Sequence, residues 1–423
     1  MTRILADLLD EASAHVSPVD LAERAWSGAR ARRRSVARRS LITVAAGAAV
    51  VAIVPALLDG KGDPGPTATP GATTAALTPT TGRADPIGQR VGTGMVWRLP
   101  EESLVPTLPW LDLGLPSRIA LPTRLVALAD DPISTVRAVL MTDAAGGGYH
   151  PVLMDPRGEY RIVADVTVHP TVDSGGNTHF AIGPGTVSPD RTKVVLPSQG
   201  AIVLIDLAAG TRVRVPVPDP YVEWAGWSLD GSAVIVRSAD RAWTVAAGRR
   251  SVRELPPPAG AGHYGLVEYS GKLPDLATFD ASGRLQARAP APPGVVSGWQ
   301  LTASSLTGWA ATGVFLSAAA SDELDGAYQG VLAVNADTPS SWRMVVPPAG
   351  ASSTWSKGCC SVQGWSGQRL VVVEVHAGSS SWLLAWDMVS GQVYRVSELG
   401  PTIAVDGTDL VGPLAIGPLP DPR

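Results

Sequence analysis

The chain has 423 residues, with 34 basic and 38 acidic side chains and a formal net charge of −4. Proteins that hold nucleic acid carry a clear excess of Lys and Arg, so this balance argues against that class of partner. The 45 Gly and 37 Pro fit many short strands joined by turns and argue against a mainly helical protein.

Residues 1–40 carry eight Arg against five acidic residues. Ile4, Leu5, Leu8 and Leu9 place an apolar stripe on one short helix. Ser17-Pro18-Val19-Asp20 starts a second, with Ser17 as cap and Pro18 at the first helical position. The tail is either a docking element for a cytoplasmic partner or a solvated flank whose arginines touch anionic lipid. Its layout resembles bacterial membrane-anchored anti-sigma factors. The zinc-binding variety is excluded because residues 1–40 contain no cysteine.

Arg30, Arg32, Arg33, Arg34, Arg38 and Arg39 then precede an uncharged apolar run, Leu41 to Leu58. As a helix, this run spans about 27 Å at ~1.5 Å per residue, close to the hydrocarbon core of a bilayer. A buried helix of a soluble protein would show a polar stripe, and this run has only Thr43. Arg38-Arg39-Ser40-Leu41-Ile42 looks like a twin-arginine export signal, but no small-x-small cleavage site directly closes the run. The expectation is one uncleaved transmembrane helix. The arginines set its topology: N-terminus cytoplasmic, residues 59–423 outside. The outer part has 26 basic and 33 acidic residues.

Residues 59–85 hold seven Thr and four Pro but one large apolar residue, Leu77. Such a segment cannot bury a core and is expected to be a disordered spacer reaching roughly 30 Å.

Residues 86–423 show internal repetition. Asp206 to Gly210 and Asp387 to Gly391 share Asp-x-x-x-Gly between apolar strands, and Trp243-Thr244-Val245 to Gly248 has the same spacing with Thr for Asp. Asp155 to Gly158 and Asp280 to Gly283 are shorter copies, and Asn335 marks a degenerate one. Asp or Asn opens the turn through its side chain, and Gly takes the left-handed position that reverses the chain. A second unit, Ser188-Pro189-Asp190-Arg191, Trp227-Ser228-Leu229-Asp230-Gly231 or Trp365-Ser366-Gly367-Gln368, precedes some of these turns, and the two in order make a four-stranded meander. Markers at 155, 206, 244, 280, 335 and 387 lie 36 to 55 residues apart, the period of a propeller of four-stranded blades.

On these residues, with Trp386-Asp387, the sequence resembles the TolB-like and WD-repeat-like propeller families. The resemblance covers roughly residues 120–400 and implies an all-β propeller; the six turn markers suggest six blades, with seven also open. The whole layout is similar to a group of actinobacterial membrane proteins with an outer propeller. Thirty Arg beside four Lys fit such a GC-rich genome. Met95 to Leu99 and Thr402 to Val405 lack partners and are expected to pair and close the ring. Most of the eleven Trp between 110 and 386 are expected in the core between blades.

Chemistry is sparsely marked. His150, His169, His179, His263 and His376 show no metal-ligand spacing, and no nucleophile elbow, phosphate loop or dinucleotide fingerprint occurs. No catalytic, cofactor or metal residue is assigned, and no cofactor is expected. Cys359 and Cys360 are the only cysteines; outside the membrane they can form a vicinal disulfide. They can also stay reduced or pair between chains. Gly146 to His150, Asp173 to His179 and Ser356 to Ser361 are loops able to line one face. The leading expectation is a membrane-anchored, extracytoplasmic, non-catalytic binding or scaffold module for an envelope protein or ligand. The alternatives are a signalling protein whose tail docks a cytoplasmic regulator, and a propeller hydrolase such as a glycosidase or lactonase.

Overall fold

The computed structural model of the chain describes residues 88–420 apart from 145–147, 173–177, 180–181, 239–240, 256–266, 270–274, 280–284, 291, 299–302, 305–307, 325, 336–337, 339–340, 350–359, 378–379, 401–402, 406–407 and 411–413. The tail, the arginine cluster, the apolar run and the spacer lie outside the described residues. No described helix is long and apolar enough to cross a membrane. Asp85–Arg423 separates from the rest of the chain as one compact unit.

The turns form as their residue types dictate. Asp155 Oδ1 accepts hydrogen bonds from the N–H groups of Arg157 (2.8 Å) and Glu159 (2.9 Å), and Gly158 takes φ 83°. Asp206 Oδ1 accepts from the Ala209 N–H at 2.9 Å, and Asp387 Oδ1 from the Val389 N–H at 3.0 Å. In the second unit Ser228 Oγ donates to Asp230 at 2.7 Å, and Gly231 follows at φ 69°. The twin turn repeats the Ser188–Asp190 bond at 2.6 Å but places Arg191 at φ 62°. A left-handed non-glycine residue costs roughly 1–2 kcal/mol. Arg191→Gly is therefore expected to raise Tm by a few degrees in thermal unfolding; a lowered Tm would contradict this account of the turn.

Strands between these turns form antiparallel meanders. Sheet I joins Leu414–Ile416, Ala138–Asp143, Tyr149–Met154 and Tyr160–Ile162, with Val126–Ala127 at its edge. Sheet II holds Lys193–Ser198, Ala201–Asp206 and Thr211–Pro216, and sheet III Trp224–Trp227, Ala233–Arg237, Ala242–Ala246 and Val252–Glu254. Sheet IV holds Val267–Tyr269, Asp275–Phe279 and Leu285–Pro290. Sheet V is built on Val295–Gly298, Trp309–Leu316, Gln329–Asn335 and Trp342–Val346. Sheet VI holds Ser361–Ser366, Leu370–Ala377, Ser380–Asp387 and Val393–Leu399, with Arg118–Ile119 at its edge.

Alternating side chains then bury both faces of these sheets. Ala333 and Val331 of sheet V share a core with Val371, Val373 and Trp386 of sheet VI. The opposite face of sheet VI, with Leu370, Val372 and Leu383, meets Ala138, Leu140 and Val152 of sheet I. Val139 and Leu153 of sheet I pack with Leu196 and Val203 of sheet II. Ile202 and Val215 of sheet II pack with Val236 and Trp243 of sheet III. Successive sheets stacked face to face make an all-β, propeller-like fold. Sheets I, II, III, IV and VI have blade size, three to five strands each; sheet V has seven because an N-terminal hairpin and the short strand Ala303–Ser304 are added to its four. Trp97, Trp224, Trp227, Trp243, Trp342, Trp365, Trp382 and Trp386 are buried.

The expected closure is corrected. Met95 to Leu99 does not meet Thr402 to Val405: Gly94–Arg98 runs parallel to Trp342–Val346, while Ile403–Val405 pairs with Thr408–Leu410. Closure comes from Leu414–Ile416, which pairs with Ala138–Leu140. The physical reason lies in the outer edges. Residues 88–127 run as a strap over the last strands of sheets V, VI and I, each time by parallel pairing. At sheet VI the Arg395 guanidinium lies 5.6 Å from the Trp110 ring and 5.8 Å from the Trp382 ring. The strap satisfies edge groups that would otherwise pair with another chain. Among the described residues no strap covers the last strand of sheet II, which blunts its own edge with Arg212, Arg214 and Pro216.

Candidate functional site

The two ends of the sheets differ. At one end the connections include the short turns 155–159, 189–192, 207–210, 228–232, 247–251, 367–369 and 388–392. At the other end strands are joined through 163–182, 217–223, 317–328, 347–360 and 400–413. Tyr221 and Tyr328 sit in these long connections, 47% and 36% exposed, and the Tyr328 ring lies 5.8 Å from that of Phe315. Of the three loops singled out in the sequence, the described residues 148–150, 178–179 and 360–361 belong to connections at this same end. Of their residues, 146–147, 173–177 and 356–359 lie outside the described set.

A polar layer closes the sheet VI–sheet I core at the long-loop end. Along Leu370–Ala377, every second residue faces sheet I: Leu370 and Val372 first, then Glu374 and His376. A bulge supplies a third group. Val362 pairs with Val373 and Gly364 with Val372, so Gln363 is the extra residue between them. Its Nε2 donates to Glu374 Oε2 at 2.8 Å, while its Oε1 is buried and has no hydrogen-bond partner among the described residues. His376 Nδ1 lies 2.7 Å from Oγ of Ser381, its cross-strand partner, and its Nε2 lies 4.0 Å from Glu374 Oε1. Burial pushes the Glu374 carboxyl up to about 7, with the Gln363 hydrogen bond acting in the opposite direction. Burial also lowers the His376 imidazole below its ordinary value.

Sheet I supplies the facing wall. Thr142 and His150, paired with each other, continue the row of Leu140 and Val152. His150 Nδ1 donates to the Val166 carbonyl at 2.9 Å, which leaves Nε2 as the acceptor nitrogen of the neutral ring.

The Ser381–His376–Glu374 row has the residue types of a nucleophilic triad but the wrong access. Ser381 is the buried member, 6% exposed, and the His376 side chain is 41% exposed. A substrate would meet the imidazole before the hydroxyl, so the row suits holding protons or cations rather than acyl transfer. Among the described residues no group of three His, Cys, Asp or Glu is placed to hold a metal ion. Cys360 is buried and disulfide-bonded, one residue before Ser361, the cross-strand partner of Glu374; Cys359 lies outside the described residues. The sequence did carry a signal for the polar layer: Glu374 and His376 interrupt an otherwise apolar strand, LVVVEVHA.

No protein-family model matches the chain, and no curated protein matches it. Solved structures do resemble it. Hydrazine synthase of Kuenenia stuttgartiensis is 14% identical, with TM-score 0.39, over 64% of this chain and 90% of that one. TolB of Acinetobacter baumannii is 15% identical, with TM-score 0.41, over 64% and 68%. A TolB of Agrobacterium tumefaciens is 14% identical, with TM-score 0.36, over 67% and 99%. The propeller-like arrangement rests on this chain's own sheets and the cores between them.

Proposed function

We propose that the chain is a single-pass, membrane-anchored β-propeller that holds an envelope protein or ligand at its long-loop end, without catalysis. The observation that carries this reading is the difference between the two ends. One is closed by short hydrogen-bonded Asp turns; the other gathers the long connections and exposes Tyr221 and Tyr328. Binding groups concentrate on loops held by a rigid scaffold, and exposed aromatic side chains give contact area at low entropic cost. The anchor is read from the arginine cluster and the apolar run that follows it.

The test is a crosslinking pull-down from native membranes, comparing the whole protein with a version lacking residues 2–29. The arginine cluster stays in both. The same envelope component is expected from each. A partner caught by the whole protein alone would place binding in the tail, and this reading would fail.

A further inference from the structure

We propose that Gln363, Glu374 and His376 form a binding site for a first-row divalent cation of the zinc class, at the long-loop end of the sheet VI–sheet I core. The argument stands on the geometry of this cluster and is independent of the binding reading above. Three acceptor atoms belong to this cluster: Glu374 Oε1 and His376 Nε2, 4.0 Å apart, and Oε1 of the Gln363 amide whose nitrogen lies 2.8 Å from Glu374 Oε2, an oxygen that is buried and lacks a partner among the described residues. An unmet buried acceptor costs free energy, and a cation meets several acceptors at once. Imidazole, carboxylate and amide oxygen together suit a first-row divalent ion.

The spacing is close to what such an ion needs. Two atoms each about 2.1 Å from zinc stand roughly 3.4 Å apart at the tetrahedral angle and at most about 4.2 Å apart. Glu374 Oε1 and His376 Nε2 are 4.0 Å apart, so a shift of about half an ångström by the exposed imidazole completes the pair. The outer partners fit as well. A metal-bound histidine commonly donates its other N–H to an oxygen, and Ser381 Oγ lies 2.7 Å from His376 Nδ1. Gln363 Nε2 orients the second oxygen of Glu374 from 2.8 Å. Three protein ligands leave one position open toward solvent, on the side where His376 is exposed.

Calorimetric titration of zinc into the whole protein in detergent near neutral pH tests the site. The wild type and the control His169→Ala, which alters an exposed histidine elsewhere, are expected to bind one zinc ion with equal affinity. Glu374→Gln and His376→Ala are both expected to weaken it by at least roughly tenfold, the lower end of the loss that even an outer partner causes. Glu374→Gln keeps the side-chain volume and His376→Ala alters a half-exposed position, so thermal unfolding of each confirms an intact fold. No binding by the wild type, or full affinity in either variant, overturns the proposal.

Discussion

Replacing Trp97 by alanine is expected to destabilise the propeller by roughly 3–5 kcal/mol, the range for emptying a buried aromatic site. Trp97 is 7% exposed and belongs to the core that joins sheets V and VI, although it comes from the strap. Its ring fills the space above Gly391, where an added Cβ would lie 2.3 Å from the ring. Gly391 also holds φ 78°, so Gly391→Ala should act in the same direction, by clash and by backbone strain. Because the strap is one continuous segment, losing its anchor at sheet V should also loosen the pairing of residues 118–119 with sheet VI. Chemical unfolding of the whole protein in detergent measures the loss. A change below about 1 kcal/mol would show that the strap adds little to the fold.

Glu374→Gln is expected to stabilise the protein above neutral pH and to leave it unchanged near pH 4.5. The carboxyl has an ordinary value of 4.5 and is pushed up to about 7 in the fold by burial. Between these values the folded state binds more protons than the unfolded chain, so stability falls as pH rises through that window and stays lower above it. The cost of ionising Glu374 in place is on the order of 3 kcal/mol above pH 7, at ~1.4 kcal/mol per unit. Glutamine keeps the shape and never ionises. Melting curves of both proteins, recorded in chelator across the pH range, should therefore agree near pH 4.5, separate as pH rises toward 7, and keep the full gap above it. A constant difference at every pH, or a wild type that gains stability as pH rises, would contradict the burial of this carboxyl.

Local rules made much of the fold readable. Asp155, Asp206, Asp230 and Asp387 each open the turn their type and spacing demand, because a carboxylate next to free N–H groups needs no distant partner. The strap was not readable. Its strands are short, and at sheets V and VI their partners lie hundreds of residues away across a sheet edge, where pairing depends on which edges the fold leaves open. Met95 to Leu99 showed that it needed a partner but not which one. The polar layer stood between these cases. Glu374 and His376 were visible as polar breaks in an apolar strand, but the bulge that turns Gln363 toward them follows from register, which only the assembled sheet sets.

The central claim is that partners meet the long-loop end. The most direct measurement places a photo-crosslinking amino acid, one position at a time, at Tyr221 and Tyr328 of that end and at Arg249 and Val389 of the short-turn end, all surface positions. Each version is irradiated in native membranes. The account predicts one common adduct from Tyr221 and Tyr328 and none from Arg249 or Val389. Adducts from the short-turn positions, or none from the long-loop positions, would contradict it.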